Sequence, residues 1–209
     1  PQRSFNQFWR QLNLSPLSHP TNKVRHNADL AFQQLTDLYN KLNKPSEIIF
    51  AIPGTFDREQ LSIILGLAKA SSFKVLGLVD SAVAAVCHFG SKDKASDGKC
   101  FVHLDIQLHQ TVFTRLQKNQ GTLKRTCVDI VTDIGLRNFY DDWARNIADK
   151  FIKEYRFDPL HTAEGEQQLY NSLPKWIEEL NLNSETIAIL DSPQGTYQLV
   201  VNPVSYTHL

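Results

Sequence analysis

Two short apolar runs, EIIFAIP (residues 47–53) and KVLGLV (74–79), each stand between stretches of helical periodicity, and this arrangement constrains the fold more than any other feature. Before the first run, Ala28, Ala31, Phe32, Leu35, Leu38, Tyr39 and Leu42 recur at three- and four-residue steps. They predict one face of an amphipathic helix that stops before Pro45. Between the runs, Asp57 is placed to cap a helix with Leu61, Ile64, Leu65 and Ala68 on one side. After the second run, DSAVAAVCHFG reads as a short apolar helix ended by Gly90. Strands that alternate with helices in this way need crossover connections, so the two strands are expected to lie parallel. The class is α/β.

Beyond the polar loop SKDKASDGK the pattern changes. CFVHLDI, TVFTRLQ and TLKRTCVDIV read as a strand meander with a turn at KNQG. Leu136, Phe139, Tyr140, Trp143, Ile147, Phe151 and Tyr155 mark a long amphipathic helix opened by Thr132 or Asp133. A second helix follows around EGEQQLYNSLPKWIEELN, where Pro174 is expected to kink or restart it. ETIAIL and TYQLVV flank the turn DSPQG as two closing strands.

Composition narrows the function classes. At 209 residues and 42% hydrophobic content the chain can bury a core. Lys+Arg and Asp+Glu balance at 22 each, so no overall field recruits nucleic acid or an anionic membrane. No apolar run approaches the ~20 residues that span a bilayer. Cys87, Cys100 and Cys127 lie in apolar stretches without C-x-x-C spacing, which predicts buried reduced thiols and a cytoplasmic setting. The chain contains no methionine and reads as a fragment.

Three strings, in order, carry a resemblance. FAIPGTFDREQ looks like V-T-V-P-A-Y-F-N-D-x-Q, VLGLVDSAVAAVCHFG looks like V-L-R-I-I-N-E-P-T-A-A-A-I-A-Y-G, and VHLDIQLHQTVF falls where I-F-D-L-G-G-G-T-F-D is expected. Over most of residues 23–202 the chain thus resembles the nucleotide-binding domain of the DnaK-type heat-shock chaperones, the 70-kDa heat-shock proteins of the actin-like ATPase superfamily. The resemblance implies a partial actin-like ATPase (ribonuclease H-like) fold with parts of two lobes. Residues 1–22 would be a loop or severed N-terminal element, 23–98 part of the first lobe and 99–202 part of the second. Residues 203–209, ending VSYTHL, read as a non-native tail.

The resemblance also implies where the site lies. Pro53 matches the proline that the family uses as a conformational switch. Asp105, Gln107, Leu108, His109, Gln110 and Thr111 occupy the phosphate loop. Asp105 retains the aspartate that stands near magnesium and the attacking water, a vestigial position here, and no other catalytic residue is assigned. The family's glycines let the backbone aim amides at phosphates, which residues with a Cβ obstruct. With Gln107–Gln110 in their place, the turn is expected to widen, or its strands to run on. The motif's second aspartate falls on Val112, or on Phe113 with one insertion, the glutamate of N-E-P-T on Ser81, and the adenosine-contacting E-x-x-K-R on Pro174, Ile177 and Glu178.

Two other chemistries compete for these residues. His103 and Asp105 are two apart on a strand and share a face, and His109 reaches them if the chain turns at Leu108, but no fourth metal ligand stands at suitable spacing. No metal site is expected. Cys87 and His88 are adjacent, and adjacent helical residues diverge by about 100°, so they make no nucleophile–base pair. The expected function is a non-hydrolysing, chaperone-related or regulatory protein acting through protein partners or unfolded clients, with no cofactor in this segment. The alternative is a chaperone-type ATPase that binds ATP and magnesium with elements outside it.

Overall fold

A computed structural model of the chain describes residues 6–90 and 97–202; the rest of the loop at 91–96 and the tail at 203–209 lie outside the described residues. The chain divides into two compact units. The first runs up to Asp105 and takes in Thr111–Val131, and the second comprises Ile106–Gln110 and the described residues from Thr132 onward.

In the first unit, helix α1 (Asn27–Lys41) is followed by strand β1 (Glu47–Ile52), helix α2 (Arg58–Ala70), strand β2 (Lys74–Asp80) and helix α3 (Ser81–Gly90). β1 and β2 pair in parallel, from Glu47 opposite Lys74 to Ile52 opposite Asp80, with a register shift between Ile48 and Ile49. Pro53 therefore stands just beyond the carboxyl end of β1, as the order of elements requires. Both long helices start where side chains can satisfy orphan amides. Asp57 accepts from the Gln60 amide at 2.8 Å while Gln60 returns a bond to the Asp57 amide. At α1, His26 Nδ1 accepts from the Asp29 amide, and the Asp29 carboxylate accepts from the amides of Arg25 and His26. Burial alone would raise the Asp29 carboxyl, but these backbone bonds and the nearby Arg25 guanidinium hold it below the ordinary value.

The core of this unit joins Ala28 and Ala31 of α1, Ile64 of α2 and Ile52 of β1 to Leu12. Phe8 and Trp9 pack on the same cluster, so the polar N-terminal stretch contributes to the core from residue 8 onward. Strands β3 (Cys100–Ile106), β4 (Gln110–Asn119) and β5 (Thr122–Thr132) form a sheet in that order. The β4–β5 turn places Gln120 at φ 48° and Gly121 at φ 73°, the left-handed pair that a two-residue hairpin loop needs.

In the second unit, helices α4 (Leu136–Tyr155) and α5 (Ala163–Leu182) pack with the antiparallel pair β6 (Thr186–Ser192) and β7 (Gly195–Val201). Phe151 and Ile147 of α4, Leu169 and Leu173 of α5, and Leu190 and Val201 of the strands are at most 2% exposed. Fully burying each such side chain contributes roughly 1.5–3 kcal/mol. Tyr170 of α5 donates to Asp141 of α4 at 2.7 Å and ties the two helices.

Three expectations are corrected. α4 opens at Gly135 rather than Thr132 or Asp133; Asp133 sits at φ 61°, outside helical space, and Gly135 is extended. α5 runs through Pro174 as one helix, without a restart, because packing of Leu169, Leu173 and Trp176 holds both halves in line. The cysteines are not buried: Cys87 and Cys100 are exposed and Cys127 is half-buried, all three free. Cys100 opens its strand, and apolar composition around a residue does not decide which face it occupies.

Candidate functional site

The segment at the expected phosphate loop is a tight turn between β3 and β4. Gln107 donates its amide to the Gln110 carbonyl at 2.9 Å, and the Gln110 side-chain amide donates to Gln107 Oε1 at 2.8 Å. None of residues 107–110 adopts positive φ. β3 ends at Ile106 and β4 begins at Gln110, so the strands do not run on but are joined by this turn. Gln110 and Thr111 are buried, at 5% and 7% exposure, and Gln107 and His109 are half-buried, while Leu108 is exposed.

The carbonyls of this turn have a defined partner. The Leu136 amide donates to the Gln107 carbonyl at 2.8 Å and the Arg137 amide to the Leu108 carbonyl at 3.0 Å. These are among the four orphan donors that open a helix, and elsewhere such donors serve as an anion site. Here the turn itself consumes them. The approach is so close that a Cβ on Gly135 would lie 2.6 Å from the Gln110 nitrogen and 2.7 Å from the carbonyl oxygens of Gln107 and Leu108. Asn138 Oδ1 completes the arrangement by accepting from the Gly135 amide at 2.9 Å. Sequence reasoning overlooked Gly135, although an isolated glycine just before an amphipathic run is a signal of close backbone approach.

Asp105 is the penultimate residue of β3 and is half-buried. Val112, at the place of the motif's second aspartate, is 2% exposed in the interior of β4, and Phe113 is partly exposed. Ser81 is the first residue of α3. No carboxylate therefore stands at either position. Of the residues aligned with the expected adenosine-contacting motif, Pro174 and Glu178 are exposed on α5, and Ile177 lines an apolar cavity of about 200 Å³ together with Trp143, Ile147, Leu173, Trp176 and Leu180. This wall offers dispersion contacts and few donors. Beside these helices, burial and then the hydrogen bond to Asp141 push the Tyr170 hydroxyl up to about 12.

His103 buries Nδ1 without a hydrogen-bond partner, and among the described residues no three His, Cys, Asp or Glu side chains come together to hold a metal. Among those residues, too, no helix is long and apolar enough to cross a membrane.

The mixed α/β architecture belongs to a chain distantly related to the 70-kDa heat-shock proteins. It is 23% identical over 149 residues to Heat shock 70 kDa protein 14 of Pongo abelii, and 24% identical over 149 residues to Heat shock 70 kDa protein 14 of Bos taurus. Each match covers 70% of this chain and 29% of the relative, so the chain spans less than a third of the curated proteins it resembles. No family model matches it.

Proposed function

We propose that this chain is a DnaK-like, actin-fold segment whose nucleotide site is degenerate, and that it serves a chaperone-related or regulatory role through protein contacts without hydrolysing ATP. The observation that carries this reading is the fate of the turn at Gln107–Gln110. A phosphate loop works by leaving amides unpaired and aimed at the ligand. In this turn the Gln107 amide is bonded within the turn, and the carbonyls of Gln107 and Leu108 engage the amides that open α4. An anion approaching that helix end meets oxygens where it needs donors. The distant relationship to the heat-shock proteins supports the chaperone side of the proposal.

Calorimetry with magnesium-ATP on the full-length protein tests it, because it presumes no client. The expected result is no binding tighter than ~100 μM, equivalent to roughly 5.5 kcal/mol. Tighter binding would overturn the reading in favour of an ATPase whose nucleotide contacts come from elsewhere in the protein, with Asp105 retained near magnesium.

A further inference from the structure

We propose that Arg125, Asp80 and Gly54 form an internal clasp that closes the carboxyl ends of the parallel strands β1 and β2 beneath β5. In open α/β sheets this edge is where ligands approach. Here it is already occupied. Arg125 Nη1 lies 2.5 Å from Asp80 Oδ2, at the last residue of β2. The other carboxylate oxygen of Asp80 accepts from the amides of Ala82 and Val83 at 3.0 and 3.2 Å, capping α3. The Asp80 carboxylate thus binds a helix start with one oxygen and a guanidinium with the other.

Gly54 makes the arrangement possible. A Cβ at Gly54 would collide with Arg125 Nη1 and lie 3.2 Å from both Arg125 Cζ and Val128 Cγ2. Only a residue without a side chain leaves the guanidinium its seat across the end of β1. Ion pairs with this much solvent exposure contribute little when both side chains must be immobilised from freedom. In the clasp both are already placed: Asp80 by two backbone bonds, Arg125 by the glycine niche and its own strand. The clasp therefore ties β5 to the carboxyl ends of β1 and β2.

Hydrogen exchange of the full-length chain, read by mass spectrometry, tests this. Arg125→Ala and Asp80→Asn are each expected to speed exchange of the 122–131 amides about tenfold, a local opening that leaves the α4 amides unchanged. Asp80→Asn isolates the ion pair, since an asparagine oxygen still caps α3 and the α3 amides stay protected. Gly54→Ala should reproduce the opening by displacing the guanidinium, yet add less than about twofold on an Arg125→Ala background. Lys124→Ala, on the same strand, should change nothing. Unchanged exchange in Arg125→Ala or Asp80→Asn overturns the clasp, and so does a full-sized additional effect of Gly54→Ala once Arg125 is gone.

Discussion

Replacing Gly135 with alanine tests the central contact of the candidate site. The backbone is no obstacle, because φ −150° and ψ −177° suit any residue. The new methyl group is the obstacle: its neighbours at 2.6–2.7 Å are backbone atoms of Gln107, Leu108 and Gln110, which cannot swing aside like a side chain end. Relief requires the turn to withdraw from α4, and withdrawal breaks the bonds from Leu136 and Arg137. At about 1 kcal/mol for each bond, plus about 1 kcal/mol for residual overpacking, the loss comes to about 3 kcal/mol. Urea unfolding followed by tryptophan fluorescence is suited to the measurement, since Trp143 and Trp176 both lie in the second unit. A lower midpoint at unchanged slope is expected. Gly66→Ala is the matched control: nothing lies within 4 Å of its added Cβ, and a mid-helix glycine to alanine change should stabilise by about 0.5–1 kcal/mol. A Gly135→Ala variant within about 0.5 kcal/mol of the parent would refute the reasoning.

Phe151→Ala removes a fully buried ring from the second unit and should cost about 3–5 kcal/mol, checked by the same unfolding transition. Tyr170 is expected to impose a pH dependence: with its folded value raised to about 12 from 10.0, its contribution is complete below pH 10 and disappears as pH rises through 12. The stability difference between the parent and Tyr170→Phe should shrink across that window, and a constant difference would exclude the Asp141 bond as its source. Restoring glycines at residues 107–110 in the full-length protein is expected not to restore ATP turnover, because Ser81 and Val112 still supply no carboxylate for magnesium or water. Robust phosphate release from that variant would show the loop to be the sole defect.

Much of the first unit was legible locally. The parallel pairing followed from the alternation of helical periodicity with the runs at 47–53 and 74–79, and the Asp57 cap from a single side chain beside an apolar face. Both are decided within a few residues of the chain. The opening of α4 was misjudged because Thr132 and Asp133 are good cap residues in isolation. The actual cap is chosen by what packs against it, the turn at Gln107–Gln110, which is remote from Gly135 in sequence but in direct contact with it in space.

The candidate site divides along the same line. Sequence alone determined which functional groups these positions carry: no glycine at 107–110 and no carboxylate at Ser81 or Val112, since a residue's functional groups are independent of where it folds. It also determined the α/β alternation, because side-chain periodicity is a property of neighbours along the chain. Only the tertiary structure decided that the Gln107 and Leu108 carbonyls meet the first amides of α4, that Arg125 reaches Asp80 across Gly54, and that Cys87 and Cys100 face outward. Each of these depends on a distance between residues remote in sequence or on the face an element turns to its core, and neither quantity is encoded in local pattern.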